Sequence, residues 1–205
     1  QMVLNPRAMQ TLTLAAMMRL DGVAEAEPVE EVERFVGADL RFMDDPVKVG
    51  VYLSTRRVRP GKYALIGLKV VVPRGSYIQP ADHPTHPTVV SLEDSPGIGV
   101  SHVAYPDLDM VHGGDEETGP VYGYHGSSWI FIALEGLLEQ PEKNYRLNLE
   151  FKAQRCDEEG CHLPEERPIA ISLALDLRAP IQVQRHEEIF RNVPMAIKRL
   201  LASDS

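Results

Sequence analysis

Two runs of alternating residues near the carboxyl end constrain the fold of this chain more than any other feature. In residues 147–154 and again in residues 169–177, every second side chain is apolar and the positions between are polar or small. Because successive side chains of a β-strand point to opposite faces, each run predicts a strand with one buried face. The polar segment between the runs predicts a hairpin, with Glu150 and Lys152 on its exposed face. The side chains predicted to be buried are Leu149, Phe151, Ile171 and Leu173.

The two cysteines of the chain, Cys156 and Cys161, stand at the tip of this hairpin with four residues between them. A hairpin can bring two such sulfurs close enough to bridge, since a disulfide needs Cα atoms roughly 4.4–6.8 Å apart. Two cysteines are too few for a disulfide scaffold, and closing a small loop stabilises a fold less than closing a large one. If the pair has a role, redox chemistry therefore fits it better than stapling. A structural disulfide and two idle thiols stay open as alternatives.

Further strands are predicted between residue 46 and the hairpin, where the apolar period also changes to two. Turns rich in proline and glycine separate these runs, and no long helix lies between them. At least six short strands in this arrangement predict an all-β fold, a β-sandwich over residues 46–183. The glycine-rich segment 106–126 is long for a loop, and loops of that length are uncommon unless they are functional or mobile. The predicted strands cover residues 47–53, 64–72, 88–92, 99–103 and 128–134.

Helices are predicted only at the two ends of the chain. Residues 1–45 show helical spacing after an Asn5-Pro6 start, with a second helix over residues 28–36, and they predict a helical amino-terminal extension. Residues 184–205 predict a carboxyl-terminal helix. We expect the amino-terminal helices to pack against the sandwich, and the alternative is that they are the tail of a preceding domain.

Charge and hydropathy exclude several classes of protein. The net charge of −9 argues against binding to nucleic acid and to anionic membrane surfaces. No apolar run approaches the roughly 20 residues that span a bilayer, so we expect no direct membrane insertion of this chain. A hydrophobic fraction of 43% is sufficient for a core. The chain starts at Gln1, and we expect it to be a mature or trimmed fragment.

The spacing of the histidines and the context of the serine pair do not match known metal-site or serine-hydrolase motifs. His83, His86, His112 and His125 lack the close three- or four-ligand spacing of zinc sites, so we predict no metal and no cofactor. A zinc-binding module remains a third, weaker hypothesis. Ser127-Ser128 lacks the G-x-S-x-G context of a serine hydrolase.

Four segments resemble, in chain order, the amino-terminal domain of the thiol:disulfide interchange protein DsbD and its relatives. The cysteine segment is the most specific of them, and the similarity covers residues 46–178. The resemblance implies an immunoglobulin-like β-sandwich that carries a redox cysteine pair. The matching segments are V-R-P-G-K-Y at 58–63, V-P-R-G-S-Y-I at 72–78, G-P-V-Y-G-Y-H-G at 119–126 and A-Q-R-C-D-E-E-G-C-H-L-P at 153–164.

The resemblance also implies roles for individual residues. Cys161 would be the sulfur joined to partners and Cys156 the one that resolves the mixed disulfide. Thioredoxin-like redox proteins would be the partners, in the periplasm or another extracytoplasmic compartment, and a place in a membrane-anchored protein is compatible with this. Residues 108–118 correspond to the loop that shields the cysteines in the family. The side chains expected to cover the site are Met110, Val111 and His112, and the expected neighbours are Tyr77 and His162.

Acidic residues outnumber basic ones around the cysteine pair. We expect this excess to disfavour the thiolate until a partner supplies positive charge. The acidic residues are Asp157, Glu158, Glu159, Glu165 and Glu166, and the basic ones are Arg155, His162 and Arg167.

The sequence therefore predicts a domain that relays electrons between redox proteins by thiol–disulfide exchange through Cys156 and Cys161. The alternative is a non-catalytic β-sandwich that binds another protein and in which the disulfide only pins the hairpin. Fold alone does not decide between them.

Overall fold

The computed structural model describes residues 35–112, 119–138, 140, 143–180 and 185–202. The chain divides into two compact units, residues 1–36 and 37–205, and all the elements named here belong to the second. The predicted helices within residues 1–34 lie outside the described residues.

Within the described residues the regular elements are mainly strands, with two short helices near the carboxyl end. In chain order the strands are β1 (Leu40–Phe42), β2 (Lys48–Leu53), β3 (Arg57–Val58), β4 (Tyr63–Val71), β5 (Tyr77–Ile78), β6 (Val89–Leu92), β7 (Ile98–Ala104), β8 (Asp109–His112), β9 (Val121–Gly123), β10 (Ser127–Gly136), β11 (Lys143–Ala153), β12 (Arg155–Asp157), β13 (Gly160–Cys161) and β14 (Glu165–Leu175). The helices are α1 (Glu187–Phe190) and α2 (Met195–Ala202).

Two sheets face each other across one apolar core, and this confirms the predicted all-β sandwich. The first sheet has the strand order β1-β2-β4-β10-β7 and the second has the order β3-β14-β11-β6. The inward side chains of both sheets form one buried cluster, from Val51 and Leu68 in the first sheet to Phe151 and Ile171 in the second. Because successive side chains of a strand point to opposite faces, every second residue of each strand lies between the sheets.

The predicted hairpin is the pair β11–β14, which is antiparallel with Leu149 opposite Ile169 and Phe151 opposite Arg167. The four side chains predicted to be buried are all buried, and Glu150 is exposed as predicted. Lys152 was predicted to be exposed but is half-buried, because its side chain lies across the strand to bind Glu166.

The first sheet is buried on both faces, because the carboxyl-terminal helices cover its outer side. Phe190, Val193 and Ile197 pack there against side chains such as Leu65 and Phe131. Strand β4 consequently reads as a nearly continuous apolar run, with Leu65 facing the helices and Ile66 facing the second sheet. The helices thus supply a second apolar layer to the sandwich.

Three local differences from the sequence analysis have clear physical reasons. Strand β1 lies inside the range 1–45 predicted to be helical, because its residues pair with the edge of β2. Pro194 divides the single predicted carboxyl-terminal helix into α1 and α2, since the residue before a proline is driven out of the helical conformation. Part of the glycine-rich segment 106–126 forms the strand pair β8–β9.

Asp39 is a buried carboxylate that ties the start of the sandwich to the segment before α1. Its side chain is 3% exposed and pairs with Arg185 at 2.6 Å and Arg56 at 3.3 Å. The amide of Leu53 donates a hydrogen bond to Asp39 Oδ2 at 2.9 Å. Burial alone would raise the pKa of Asp39, but these hydrogen bonds outweigh it and lower the pKa below the usual range of an aspartate.

The lowered pKa of Asp39 predicts a pH dependence of stability. A carboxyl with a lower pKa in the folded state stabilises the fold above its unfolded pKa, about 3.9, and this stabilisation is lost as the pH falls through the folded pKa. Urea melts should therefore show a free energy of unfolding that falls below about pH 4. Asp39→Asn should be less stable at pH 7 and show a flatter acid limb. An acid limb of unchanged slope in the variant would contradict this role of Asp39.

Candidate functional site

The cysteines lie in a small sheet of their own, beyond the end of the long hairpin. Strand β12 pairs with β13 on one side and with β5 on the other, and all the pairs are antiparallel. A two-residue turn, Glu158-Glu159, joins β12 to β13, and Gly160 ends it at a φ of 128° that favours glycine. The chain therefore changes its pairing partner at Gln154: β11, before this residue, pairs with β14, and β12, after it, pairs with β5.

Cys156 and Cys161 form a disulfide between directly opposed residues of β12 and β13. Their Cα atoms are 4.0 Å apart, the narrow spacing of opposed residues that do not exchange backbone hydrogen bonds. The neighbouring pair on the side away from the turn, Arg155 and His162, does form such a bond: the backbone N–H of His162 donates to the carbonyl of Arg155 at 2.9 Å. Cys156 is 1% exposed, whereas Cys161 is exposed. The two sulfur-bearing residues thus differ sharply in their access to solvent.

Gln79 is the side chain that contacts both sulfurs. Its amide Nε2 lies 3.2 Å from Cys156 Sγ and 3.6 Å from Cys161 Sγ, and the residue is 8% exposed. Gln79 follows directly after β5, which pairs with the cysteine strand through Tyr77 opposite Cys156. The small sheet thus brings to the disulfide a residue that lies 77 positions earlier in the chain.

Asp157 connects the two basic residues that flank the disulfide. Its Oδ2 binds His162 Nε2 at 2.7 Å and Arg155 Nη1 at 2.5 Å. The amide of Glu159 donates to Asp157 Oδ1 at 3.0 Å. The hydrogen bond from His162 is the largest cause that lowers the pKa of Asp157 below its ordinary value, so the carboxylate is charged at neutral pH.

The predicted acidic excess is largely neutralised by ion pairs. Glu166 binds Lys152, and Glu165 lies 3.6 Å from Arg167, which is 4% exposed and also binds Asp45. Burial raises the pKa of Glu165 above its usual value. Among the described residues only the turn glutamates, Glu158 and Glu159, lack an ion pair near the sulfurs. The charges of Glu158 and Glu159 are therefore the unpaired negative charges beside the sulfurs in this part of the structure.

A cavity of about 690 Å³ lies beside the cysteine strand. Met110 and Val111 line it from β8, and Tyr77, Asp157 and Glu158 line it from the small sheet. Segment 108–112 therefore reaches the same region as the strand that carries Cys156. The side chain of His112 lies outside the described residues. A cover over the sulfurs by these three side chains stays a prediction, since the cavity's lining includes neither cysteine.

The approach of β9 to this region depends on Gly123. A Cβ atom at this position would lie 2.7 Å from Tyr77 Cδ2 and 2.8 Å from the carbonyl oxygen of Ile78. Both atoms belong to β5, the strand that pairs with the cysteine strand. A side chain at residue 123 would therefore displace β5, and with it the neighbours of Cys156.

The candidate ligand histidines whose side chains are described, His83, His86 and His125, do not converge. The amide of His86 donates to His83 Nδ1 at 3.2 Å, and His125 lies 3.4 Å from Asp109. In the described part of the chain, no three side chains of histidine, cysteine, aspartate or glutamate are grouped so as to hold a metal ion. In that same part, no helix has the length and apolar character needed to cross a membrane.

The fold and the site define an all-β sandwich with a strand-paired disulfide at its surface. A search of solved structures aligns the chain with the N-terminal periplasmic domain of ScsB from Proteus mirabilis, at a TM-score of 0.41 and 16% identity. The alignment covers 79% of this chain and 57% of that chain, so this chain matches little more than half of its length. No family model matches the chain, and no curated protein matches it.

Proposed function

We propose that this domain carries out thiol–disulfide exchange with partner proteins through Cys156 and Cys161. The observation that carries the proposal is the unequal exposure of the two residues. Cys161 is exposed while Cys156 is 1% exposed. An attacking thiolate must reach a sulfur along the axis of the S–S bond, so access decides which sulfur is attacked. Cys161 is therefore the sulfur that exchanges with partners, and Cys156 is the one released.

The exchange follows from this assignment in balanced steps. A partner thiolate attacks Cys161 Sγ, a new S–S bond forms, and the Cys156–Cys161 bond breaks with its electron pair on Cys156. A second partner thiolate then attacks the partner's own sulfur in the mixed disulfide and releases Cys161 as a thiolate. The domain gains two electrons and the partner becomes a disulfide, with protons taken from solvent. In the reverse direction Cys161 attacks a partner disulfide and Cys156 resolves the product.

The fold is able to tolerate a disulfide that opens and closes. The cysteines are only five positions apart, and closing so short a loop contributes about 2 kcal/mol on the chain-entropy account. Neither cysteine belongs to the cluster of side chains packed between the two main sheets, although Cys156 is itself buried. We therefore expect the reduced domain to keep its fold, as a domain that cycles between two redox states must.

The proposal extends to partners and compartment through the resemblance of the cysteine segment to DsbD-type domains. Proteins with a reactive dithiol, thioredoxin-like proteins among them, are the proposed partners, and the domain would relay electrons between them. Disulfides persist in oxidising compartments, so a periplasmic or other extracytoplasmic location is part of the proposal.

A second candidate is a protein-binding sandwich whose disulfide is only structural. The exposed apolar side chains near the site favour it: Leu163 is 87% exposed and Met110 is 62% exposed. Isolated exposed apolar residues are common on protein surfaces, so this observation is weaker than the asymmetry of the cysteines.

Exposure of the native domain to a reduced thioredoxin-fold protein separates the two candidates. After acid quenching and alkylation, mass spectrometry should show two alkyl groups on the domain, while its circular dichroism stays native. Proteins without reactive thiols should leave the disulfide intact. A domain that reacts only after denaturant has unfolded it would be a binding module with a structural disulfide.

A further inference from the structure

Gln79 is placed to act on the sulfurs and was not detected in the sequence. Its Nε2 is 3.2 Å from Cys156 Sγ and 3.6 Å from Cys161 Sγ. A disulfide has no hydrogen to donate, so only the N–H end of the amide can bind it. The N–H group makes its shorter contact with Cys156 Sγ, and this is the sulfur that is released when a partner attacks Cys161.

The backbone of Gln79 is held on both sides. Its backbone N–H donates to the backbone carbonyl of Gln154 at 3.1 Å, and its backbone carbonyl accepts a hydrogen bond from the hydroxyl of Thr88. Thr88 is fully buried. The preceding residue, Ile78, exchanges backbone hydrogen bonds with Tyr124 at 2.9 and 3.0 Å. A side chain that starts from so fixed a backbone is preorganised, and it needs no rearrangement during the reaction.

We propose that Gln79 is a catalytic residue of the exchange, which stabilises the Cys156 thiolate as it leaves. This inference rests on the proposed function. A hydrogen bond to an ionised acceptor is roughly twice as strong as one to a neutral acceptor. The contact therefore favours the thiolate over the disulfide, and it gains strength as negative charge develops on Cys156. Gln79 keeps its proton throughout, and the proton that finally neutralises Cys156 comes from solvent.

The proposal predicts both the rate and the equilibrium of reduction. A leaving thiolate that is stabilised leaves faster, and it also makes the disulfide easier to reduce. Loss of the donor should slow reduction about tenfold, and above the pKa of the Cys156 thiol, where the reduced form is the thiolate, it should also lower the equilibrium constant for reduction about tenfold, which corresponds to a potential about 30 mV more negative. Both effects concern Cys156 alone and require no particular partner.

Gln79→Leu tests this inference, with Gln154→Leu as the matched control. Gln154 is a second glutamine beside the small sheet, directly before β12; it is 9% exposed, and its side-chain amide donates to the carbonyl of His162 at 2.9 Å rather than to a sulfur. Each variant loses one nearly buried amide. We expect Gln79→Leu to be reduced by dithiothreitol about tenfold more slowly than wild type, and Gln154→Leu to stay within about twofold.

A second variant keeps the test decisive if Gln79→Leu does not fold. Gln79→Asn retains an amide but withdraws it by one methylene, so it should also slow reduction and raise the pKa of the Cys156 thiol, read from thiolate absorbance in a Cys161→Ala background. Wild-type rates in the Gln79 variants, or equal slowing in Gln154→Leu, would overturn the role of Gln79. Because dithiothreitol replaces the partner protein, these results stand apart from whether wild type reacts with a thioredoxin-fold protein.

Discussion

Phe151→Ala should lower the free energy of unfolding by about 3–5 kcal/mol, the usual cost of removing a buried aromatic ring. Phe151 lies on β11, a central strand of the second sheet, and is 1% exposed between the two sheets. Its neighbour across the strand pair with β6 is Val90, which is also buried. Because the ring is surrounded by other core side chains, its removal leaves a cavity between the two sheets. Urea denaturation followed by circular dichroism measures the loss.

The control for Phe151 is the residue directly before it. Glu150 lies on the opposite face of β11 and is exposed, so Glu150→Ala should change the free energy of unfolding by no more than about 0.5 kcal/mol. The ratio of the two losses in the free energy of unfolding tests which side chains of β11 face the core and which face solvent. A loss below about 1 kcal/mol for Phe151→Ala would show that its ring does not fill the core.

The two single cysteine variants should differ strongly in their ability to trap a partner. Cys156→Ala leaves the exposed Cys161 as a free thiol, which displaces thionitrobenzoate from a thioredoxin-fold protein that keeps only one cysteine, activated as its mixed disulfide with thionitrobenzoate. The mixed disulfide between the two proteins then persists, because neither of them keeps a resolving thiol. Cys161→Ala leaves only Cys156, which is 1% exposed, and it should trap on the order of tenfold less partner because access limits the exchange. Non-reducing electrophoresis measures the trapped complex.

Two controls make the trapping experiment specific. Both variants should react equally with a small alkylating reagent in denaturant, which shows that each carries one intact thiol. Both variants should remain folded in urea melts, with Cys156→Ala the less stable of the two because it also truncates a buried side chain. Equal trapping by the two native variants would remove the asymmetry on which the mechanism depends, and no trapping by either would favour the structural disulfide.

Much of the fold could be predicted because each long strand of the second sheet is buried on one face only. The alternation in β11 and β14 follows directly from that one-sided burial, and it gave the hairpin and its buried side chains. Strand β4 is buried on both faces, and its apolar run indicated a strand without showing that helices cover its outer side. Strand β1 has only three residues, too few to show a period in the sequence, and it forms through its pairing with β2.

The site could be predicted only where its residues are close in sequence. Cys156 and Cys161 face each other within one short hairpin, so their pairing is local. Gln79 reaches them from 77 positions away, through the pairing of β5 with β12. A two-residue strand such as β5 leaves no periodic signal in the sequence. The ion pairs that neutralise the acidic residues likewise depend on the register of β11 and β14, which places Lys152 opposite Glu166.

The reduction potential of the Cys156–Cys161 disulfide tests the central claim most directly. The native domain is equilibrated in glutathione or dithiothreitol buffers of graded potential, the free thiols are alkylated, and the reduced fraction is counted by mass spectrometry while circular dichroism monitors the fold. An exchange-active pair should have a potential above about −300 mV, the level below which structural disulfides typically lie, and the domain should stay folded when reduced. A potential below that level, or reduction that occurs only together with unfolding, would contradict thiol–disulfide exchange as the function of this domain.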